Sequence, residues 1–396
     1  MQTPPTVDSL INILPTEPLL MMGAGPVPIP HSVAQANSIV INHLGDTMAK
    51  IIHQMKEMAR YVFQTESRWI LGVAGPGSAA MEMSVCNLVF PGTRVLSVCN
   101  GYFGRRFGEM ASRVGGQVDY LIVPDGEAAQ LAVVREHLER LRPEVLTIAQ
   151  GETSSTVFNH TLPQITKLAR DYGCYVIVDA VCTLSTMPCE MDNWKIDAVV
   201  TGGQKGLSSI PGVSLIAFSE RAWERINART APPPHWCLDA KLAEQFWHNA
   251  SYHYTAPVSG ILALHEALHL ICKETLEERF ERHLRCSLGL QRGVEAMGLS
   301  LYGAAESRLN SVVGIQVPAG VNRAEICKQI SLKYRVEISG SFGLDIVRIG
   351  QMGEQCRAHH LFRTLHALGS TMKDLGADVD VAAGVAELER ELQRGN

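Results

Sequence analysis

Lys205 stands in the run Gly202-Gly203-Gln204-Lys205-Gly206, where small neighbours leave it little of the setting of an ordinary surface lysine. An amine held this way can form an imine with an aldehyde once burial lowers its pKa, and a plain surface lysine is the competing reading. Asp179 closes the apolar run Val176–Val178. A carboxylate there is costly to bury unless a cationic or hydrogen-bonding group meets it, and a helix-capping role is the alternative. Arg348 lies between Val347 and Ile349 just ahead of Gly350. Such a guanidinium calls for a carboxylate, supplied by a substrate or by the protein itself.

Other stretches carry weaker chemistry. Ala74-Gly75-Pro76-Gly77-Ser78 follows a strand-like run and opens a helix-like one, aiming backbone N–H groups at one point as an anion requires. Ser78 acting as an ordinary N-cap explains the same residues. Gly23-Ala24-Gly25-Pro26 lacks the third glycine of a dinucleotide loop and the lysine of a P-loop. His265-Glu266-Ala267-Leu268-His269 is a literal H-E-x-x-H, with both imidazoles on one helix face, so a zinc hydrolase is the rival from another class. The metzincin continuation is absent, since Leu270-Ile271-Cys272-Lys273 follows, and a third ligand would have to come from Glu274, Glu277, Glu278 or Glu281.

The elements that must position these groups alternate. Short apolar runs at 69–73, 94–98, 118–123, 145–149, 176–178, 198–200 and 212–218 read as strands, with helical stretches at 48–63, 103–113, 127–141 and 162–172 between them. The alternation predicts a doubly wound parallel sheet whose strand ends converge on one cleft. Beyond it lie helices at 238–247 and from 258 to about 273, then strands near 312–317, 336–338 and 345–349 and a last large helix after Gly353.

Composition narrows the field. Among 396 residues, 46% are hydrophobic and 19% charged, which describes an ordinary globular chain long enough for more than one domain. A net charge of −5 with no Lys/Arg-rich run argues against nucleic acid or an anionic membrane as partner. The first twenty residues lack a basic region and a continuous apolar core, so no signal peptide is expected there, and no run is long enough to span a bilayer. Ten scattered cysteines without a C-x-x-C pair fit free thiols in a reducing cytoplasm.

Taken in order, GAGP, AGPGSAAME, NGYFGRR, QGETSST, VDAVCTL, GGQKGLSSIPG, YHYTAP and VRIGQMG resemble the class V, fold-type I aminotransferases that depend on pyridoxal phosphate. Within them the likeness is to the alanine–glyoxylate and serine–pyruvate branch, with ureidoglycine–glyoxylate and pyridoxamine–pyruvate aminotransferases as relatives. The resemblance runs from about residue 19 to about residue 382. It implies an α/β fold: a large domain with a mainly parallel seven-stranded sheet flanked by helices, plus a smaller C-terminal α/β domain. The expected division is an arm at 1–20, a large domain at 21–273 and a small one at 274–396.

The same resemblance implies roles. Lys205 would carry the cofactor as an imine, and Asp179 would pair with its ring nitrogen. Val181 would pack under the ring and Phe103 on top of it, with Thr153 near the ring hydroxyl and Gly77, Ser78 and Gln204 on the phosphate. Tyr252 and Thr255 would reach the cofactor of a neighbouring subunit, making the active unit a homodimer. Arg348, with Gly25 close by, would bind the substrate carboxylate. The implied reaction moves an amino group from a small amino acid, alanine or serine, to glyoxylate or pyruvate. Ser154-Ser155-Thr156 and a short loop before Arg348 depart from the relatives' patterns, and Tyr252-His253-Tyr254 stands where ureidoglycine enzymes carry an asparagine-histidine-histidine run, which disfavours that activity. Residues 63–69 and Ser339–Gly343 look more like the ureidoglycine branch. An intact phosphate loop argues against a pyridoxamine enzyme. A desulfurase-type lyase is disfavoured because no cysteine falls in an evident mobile active-site loop.

Overall fold

The computed structural model of the chain describes residues 2–394. Seven strands form the central sheet, in the order Ile70–Ala74, Val213–Phe218, Ala198–Val200, Tyr175–Asp179, Val145–Ala149, Arg94–Cys99 and Gln117–Ile122. The apolar runs of the inner strands are buried on both faces, as strands sandwiched between helix layers must be, while the edge strand Gln117–Ile122 is largely exposed. Parallel pairing runs from Ala198–Val200 out to Gln117–Ile122, in the register that puts Asp179 beside Ala149 and Val200.

One strand is the exception that makes the sheet mainly, and not wholly, parallel. Val213–Phe218 runs antiparallel to both of its neighbours. The chain reaches it from Val200 through the Lys205 loop with no helix between, and a parallel return needs such a crossover. Lys205 therefore sits in the loop that joins two adjacent strands, between Val200 and Val213.

The largest apolar cluster spans this sheet and its helices, from Met48 to Leu276. A second cluster joins Leu20 and Met22 to residues between Cys286 and Leu388. The strand Leu20–Met21 pairs in parallel with Val336–Glu337, so residues 21–22, expected with the large sheet, instead extend the C-terminal core. In that part Val312–Gln316, Ile346–Gly350 and Ser339–Gly340 form a three-stranded antiparallel sheet with Ile346–Gly350 in the middle. The expected single last helix is two, Ala358–Asp374 and Val381–Gln393, with a turn at Gly376 (φ +93°) between them. Leu276–Ala296 packs against both. Further helices that bear on the site are Asp46–Phe63, Gly77–Leu88, Tyr102–Arg113 and Val258–Glu274.

Candidate active site

Asp179 ends its strand buried, with one oxygen accepting the Val181 N–H at 2.8 Å and the other without a hydrogen-bond partner among the described residues. Burial pushes its pKa up to about 7; the Val181 N–H, Lys205 and Arg106 pull it back, while the nearby Glu152 carboxylate pushes it further. A cationic hydrogen-bond donor at the free oxygen would relieve that cost.

Lys205 Nζ donates to the Ala24 carbonyl. Burial lowers its pKa and the Arg348 charge lowers it further, against the opposing pull of Cys182 and Asp179. The lowered pKa leaves more of the amine neutral, the form that attacks an aldehyde. Gly25 belongs here for steric reasons: its φ is +102°, and a Cβ on it would stand 2.6 Å from Nζ. The GAGP stretch is thus the wall beside the amine, not a phosphate loop.

The phosphate-like corner lies at the start of Gly77–Leu88. That helix begins at Pro76 with no side-chain cap, so Ser78 does not play the N-cap role its position suggests. Its hydroxyl instead accepts from Arg106 Nη1 at 2.8 Å. Gln204 Oε1 is buried without a partner, and a Cβ on Gly202 would lie 2.7 Å from it and 3.1 Å from Gly77 N. An uncapped helix start, the Gln204 NH2 group, which donates to nothing among the described residues, and a nearby guanidinium together make an anion cradle. A Cβ on Gly77 would meet Val181 at 2.7 Å, so only glycine lets this cradle and the Val181 side chain share the space.

Arg348, in the middle strand of the C-terminal sheet, is buried and makes no ion pair among the described residues. Its Nε donates to Gly340 O at 2.8 Å and its Nη1 to Thr153 O at 2.7 Å, leaving Nη2 unbonded. Burial lowers its pKa to about 10, partly offset by the Glu152 carboxylate. The bond to Thr153 carries the strand-end loop of the large sheet to the C-terminal part. Phe342 stacks on Tyr102 at 4.6 Å and lies 6.0 Å from the guanidinium. Phe103 is partly exposed, with the Arg106 guanidinium over its ring at 4.7 Å.

Residues without an expected role complete the cleft. Glu152 is fully buried and accepts from Phe103 N (3.1 Å), Gly104 N (3.0 Å) and the N–H (3.0 Å) and hydroxyl (2.5 Å) of Ser154. It thereby caps the Tyr102–Arg113 helix and ties it to the loop holding Thr153. Burial raises its pKa against those donors. Arg106 and Cys182, whose thiol donates to Gly151 O at 3.1 Å, also border the site. The glutamate in Gly151-Glu152-Thr153 was the one available sequence signal for this group.

Tyr252 and Thr255 stand apart. Both are exposed, and neither hydrogen-bonds to the other site residues among those described. Tyr254 of the same segment hydrogen-bonds to the Ala74 N–H through its hydroxyl, at 3.4 Å. The H-E-x-x-H residues do not assemble a ligand set: His265 Nε2 meets Gln54 Oε1 at 3.0 Å, and no third ligand gathers with His265 and His269 among the described residues.

A sequence model of the family described as aminotransferase class-V matches residues 30–355. The alanine–glyoxylate aminotransferase of Drosophila melanogaster is 34% identical over 373 residues, covering 91% of this chain and 95% of the relative. The crystal structure of an alanine–glyoxylate aminotransferase from Nostoc sp. superposes with a TM-score of 0.88 at 32% identity, over 93% of this chain and all (100%) of that one. That of the ureidoglycine–glyoxylate aminotransferase of Bacillus subtilis gives 0.92 at 28% identity, over 96% and 100%. The architecture is that of the fold-type I aminotransferases. The chain is a transaminase and belongs to the class-V aminotransferase family.

Proposed function

We propose that the chain is a pyridoxal-phosphate-dependent aminotransferase that passes the amino group of a small amino acid, alanine or serine, to glyoxylate or pyruvate. One observation carries the reading: a lysine amine, a carboxylate with one free oxygen and a buried guanidinium without counter-ion face one cleft. The residues fit the cofactor. The uncapped helix start at Gly77 and Ser78 with the Gln204 NH2 group as donor would hold its phosphate. Asp179 would meet the ring nitrogen, Val181 and Phe103 would flank the ring, and Thr153 would border its hydroxyl. Pyridoxal phosphate supplies an aldehyde carbon and an electron-accepting ring.

The chain's own groups do the rest. Lys205 Nζ would hold the cofactor through its aldehyde, and the same amine is placed to take and return the proton at the substrate's Cα. Arg348, kept in place by Gly340 O and Thr153 O, orients the amino acid through its carboxylate with the remaining N–H groups. Asp179 keeps the ring-nitrogen proton in place. Donor product leaves before the acceptor binds, in ping-pong order.

We extend the reading to a cytoplasmic homodimer. The exposed Tyr252 and Thr255 are then donated to the partner's cofactor phosphate, which explains polar side chains displayed without partners. Ten free cysteines suit a reducing compartment, and no helix among the described residues is long and apolar enough to cross a membrane. We place the division shortly after residue 274; the separate apolar clusters, one ending at Leu276 and the other resuming at Cys286, support it.

The test is a screen of single amino acids against purified protein loaded with pyridoxal phosphate, read as loss of the lysine-bound cofactor's absorbance. Alanine or serine should discharge it fastest, and Lys205→Ala should lose turnover by on the order of 10³-fold or more. Full activity in Lys205→Ala would overturn the assignment. Discharge by ureidoglycine or pyridoxamine alone would move the enzyme to another branch of the family.

A further inference from the structure

Away from the cleft, Glu82 and Cys86 lie one turn apart on the Gly77–Leu88 helix and therefore share a face. His235 reaches the same face from the segment after Asn227. That segment is fixed on the helix by Asn87 Nδ2 donating to Leu238 O at 2.7 Å, by Ala240 N donating to Asn87 Oδ1 at 3.0 Å and by the Arg229 guanidinium on Cys86 O. The carboxylate oxygen, the thiol sulfur and an imidazole nitrogen lie within 4.8 Å of one another, and His235 Nε2 is 3.5 Å from Glu82 Oε1.

Zinc bonds of roughly 2.0–2.3 Å in a tetrahedron set ligand atoms about 3.3–3.8 Å apart, so the set needs only a small contraction around one ion. A sulfur–nitrogen–oxygen set suits zinc, not magnesium or calcium, which take oxygen ligands. Cys86 is buried, whereas the side chains of His235 and Glu82 are 50% and 39% exposed, which gives the ion a path in and water a fourth position. The one guanidinium bonded here, that of Arg229, is turned to a carbonyl and leaves the ligand atoms free. An ordinary histidine–glutamate pair over a buried thiol is the competing account.

We propose that Glu82, Cys86 and His235 form a binding site for a single zinc-class ion, separate from the catalytic cleft. The ion would pin the segment carrying Trp236, whose carbonyl accepts from His253 Nε2 at 3.1 Å and whose ring meets the His253 ring at 4.6 Å. It would thereby steady the Tyr252–Thr255 segment; that consequence, unlike the site itself, rests on the segment's proposed role.

Cobalt(II) added to metal-depleted holoenzyme tests the site through its visible bands, which lie outside the cofactor's absorbance. The expected result is one equivalent of cobalt with the intense bands of a four-coordinate thiolate complex, displaced by zinc. Binding should weaken at least ten-fold in His235→Ala, a half-exposed position that spares the fold, and the thiolate bands should vanish in Cys86→Ser. Cys237→Ser should leave them unchanged. Absence of the bands in the native protein, their survival in Cys86→Ser, or undiminished cobalt affinity in His235→Ala would overturn the proposal.

Discussion

Two buried charge groups in this molecule are built in opposite ways. Around the Leu276–Ala296 helix, Glu274 bonds Arg279 Nη1 (2.7 Å) and Arg282 Nε (2.5 Å) and Nη2 (2.9 Å). Those arginines also donate to Ser185 O, Gly206 O, Gly353 O and Cys356 O. Burial opposes the Glu274 charge, yet the two guanidiniums hold its pKa below the usual value. In the cleft the same residue types go without: Asp179 is pushed up to about 7, and Lys205 and Arg348 have no ion pair among the described residues. A protein that satisfies one set of buried charges this fully and leaves another open has shaped the open set for ligands. The satisfied set is also the frame, since it joins the loop of Lys205 at Gly206 to the loop after Arg348 at Gly353.

The comparison can be broken at either end. Glu274→Gln removes the shared counter-ion of the buried Arg279 and the partly buried Arg282 and should cost about 3 kcal/mol of stability, read as a fall in the denaturant midpoint. A change within ~0.5 kcal/mol would mean the paired set is not structural.

Asp179 gives the next effect. Its folded pKa of about 7 stands above the ordinary 3.8, so the cofactor-free protein holds a proton that the unfolded chain releases. The stability this contributes is full below about pH 4 and lost as pH rises through 7, by roughly 4 kcal/mol in all. Cofactor-free wild type should therefore lose about 2.5 kcal/mol more than Asp179→Asn between about pH 5 and pH 8. Parallel pH profiles would place the unsatisfied charge elsewhere.

Arg348→Gln should have the smallest energetic effect and the most telling one. The KM for the amino donor should rise roughly 10- to 100-fold, as loss of a charged hydrogen bond worth ~1.5–3 kcal/mol implies, with stability unchanged or improved. Lost stability with an unchanged KM would make Arg348 another structural arginine.

Much of this was legible in the sequence, for identifiable reasons. The apolar runs ending at Asp179 and Val200 are strands because they are short, β-branched and bounded, and the sequence limits agree with the observed ones to within a residue. Lys205 stood out because three glycines flank it within three residues. The direction of Val213–Phe218 was not legible, since an apolar run carries no sign of which way it is crossed. Nor was the pairing of Leu20 with Val336, which depends on contacts across most of the chain. Glu152 escaped notice because its partners are mostly backbone N–H groups, which leave no mark in sequence. The H-E-x-x-H stretch shows the reverse. Its spacing puts two imidazoles on one face, but a third ligand is a tertiary fact, and the residues that do cluster, Glu82, Cys86 and His235, form no motif.

Borohydride reduction of the pyridoxal-phosphate-loaded protein, followed by peptide mass mapping, tests the central claim most directly. The account predicts the cofactor's mass on the peptide containing Lys205 and on no other. Lys56 is the informative control, because burial and the neighbouring arginines lower its pKa to about 8 and make it the other available amine. Label on Lys56, or no label on Lys205, would contradict the account.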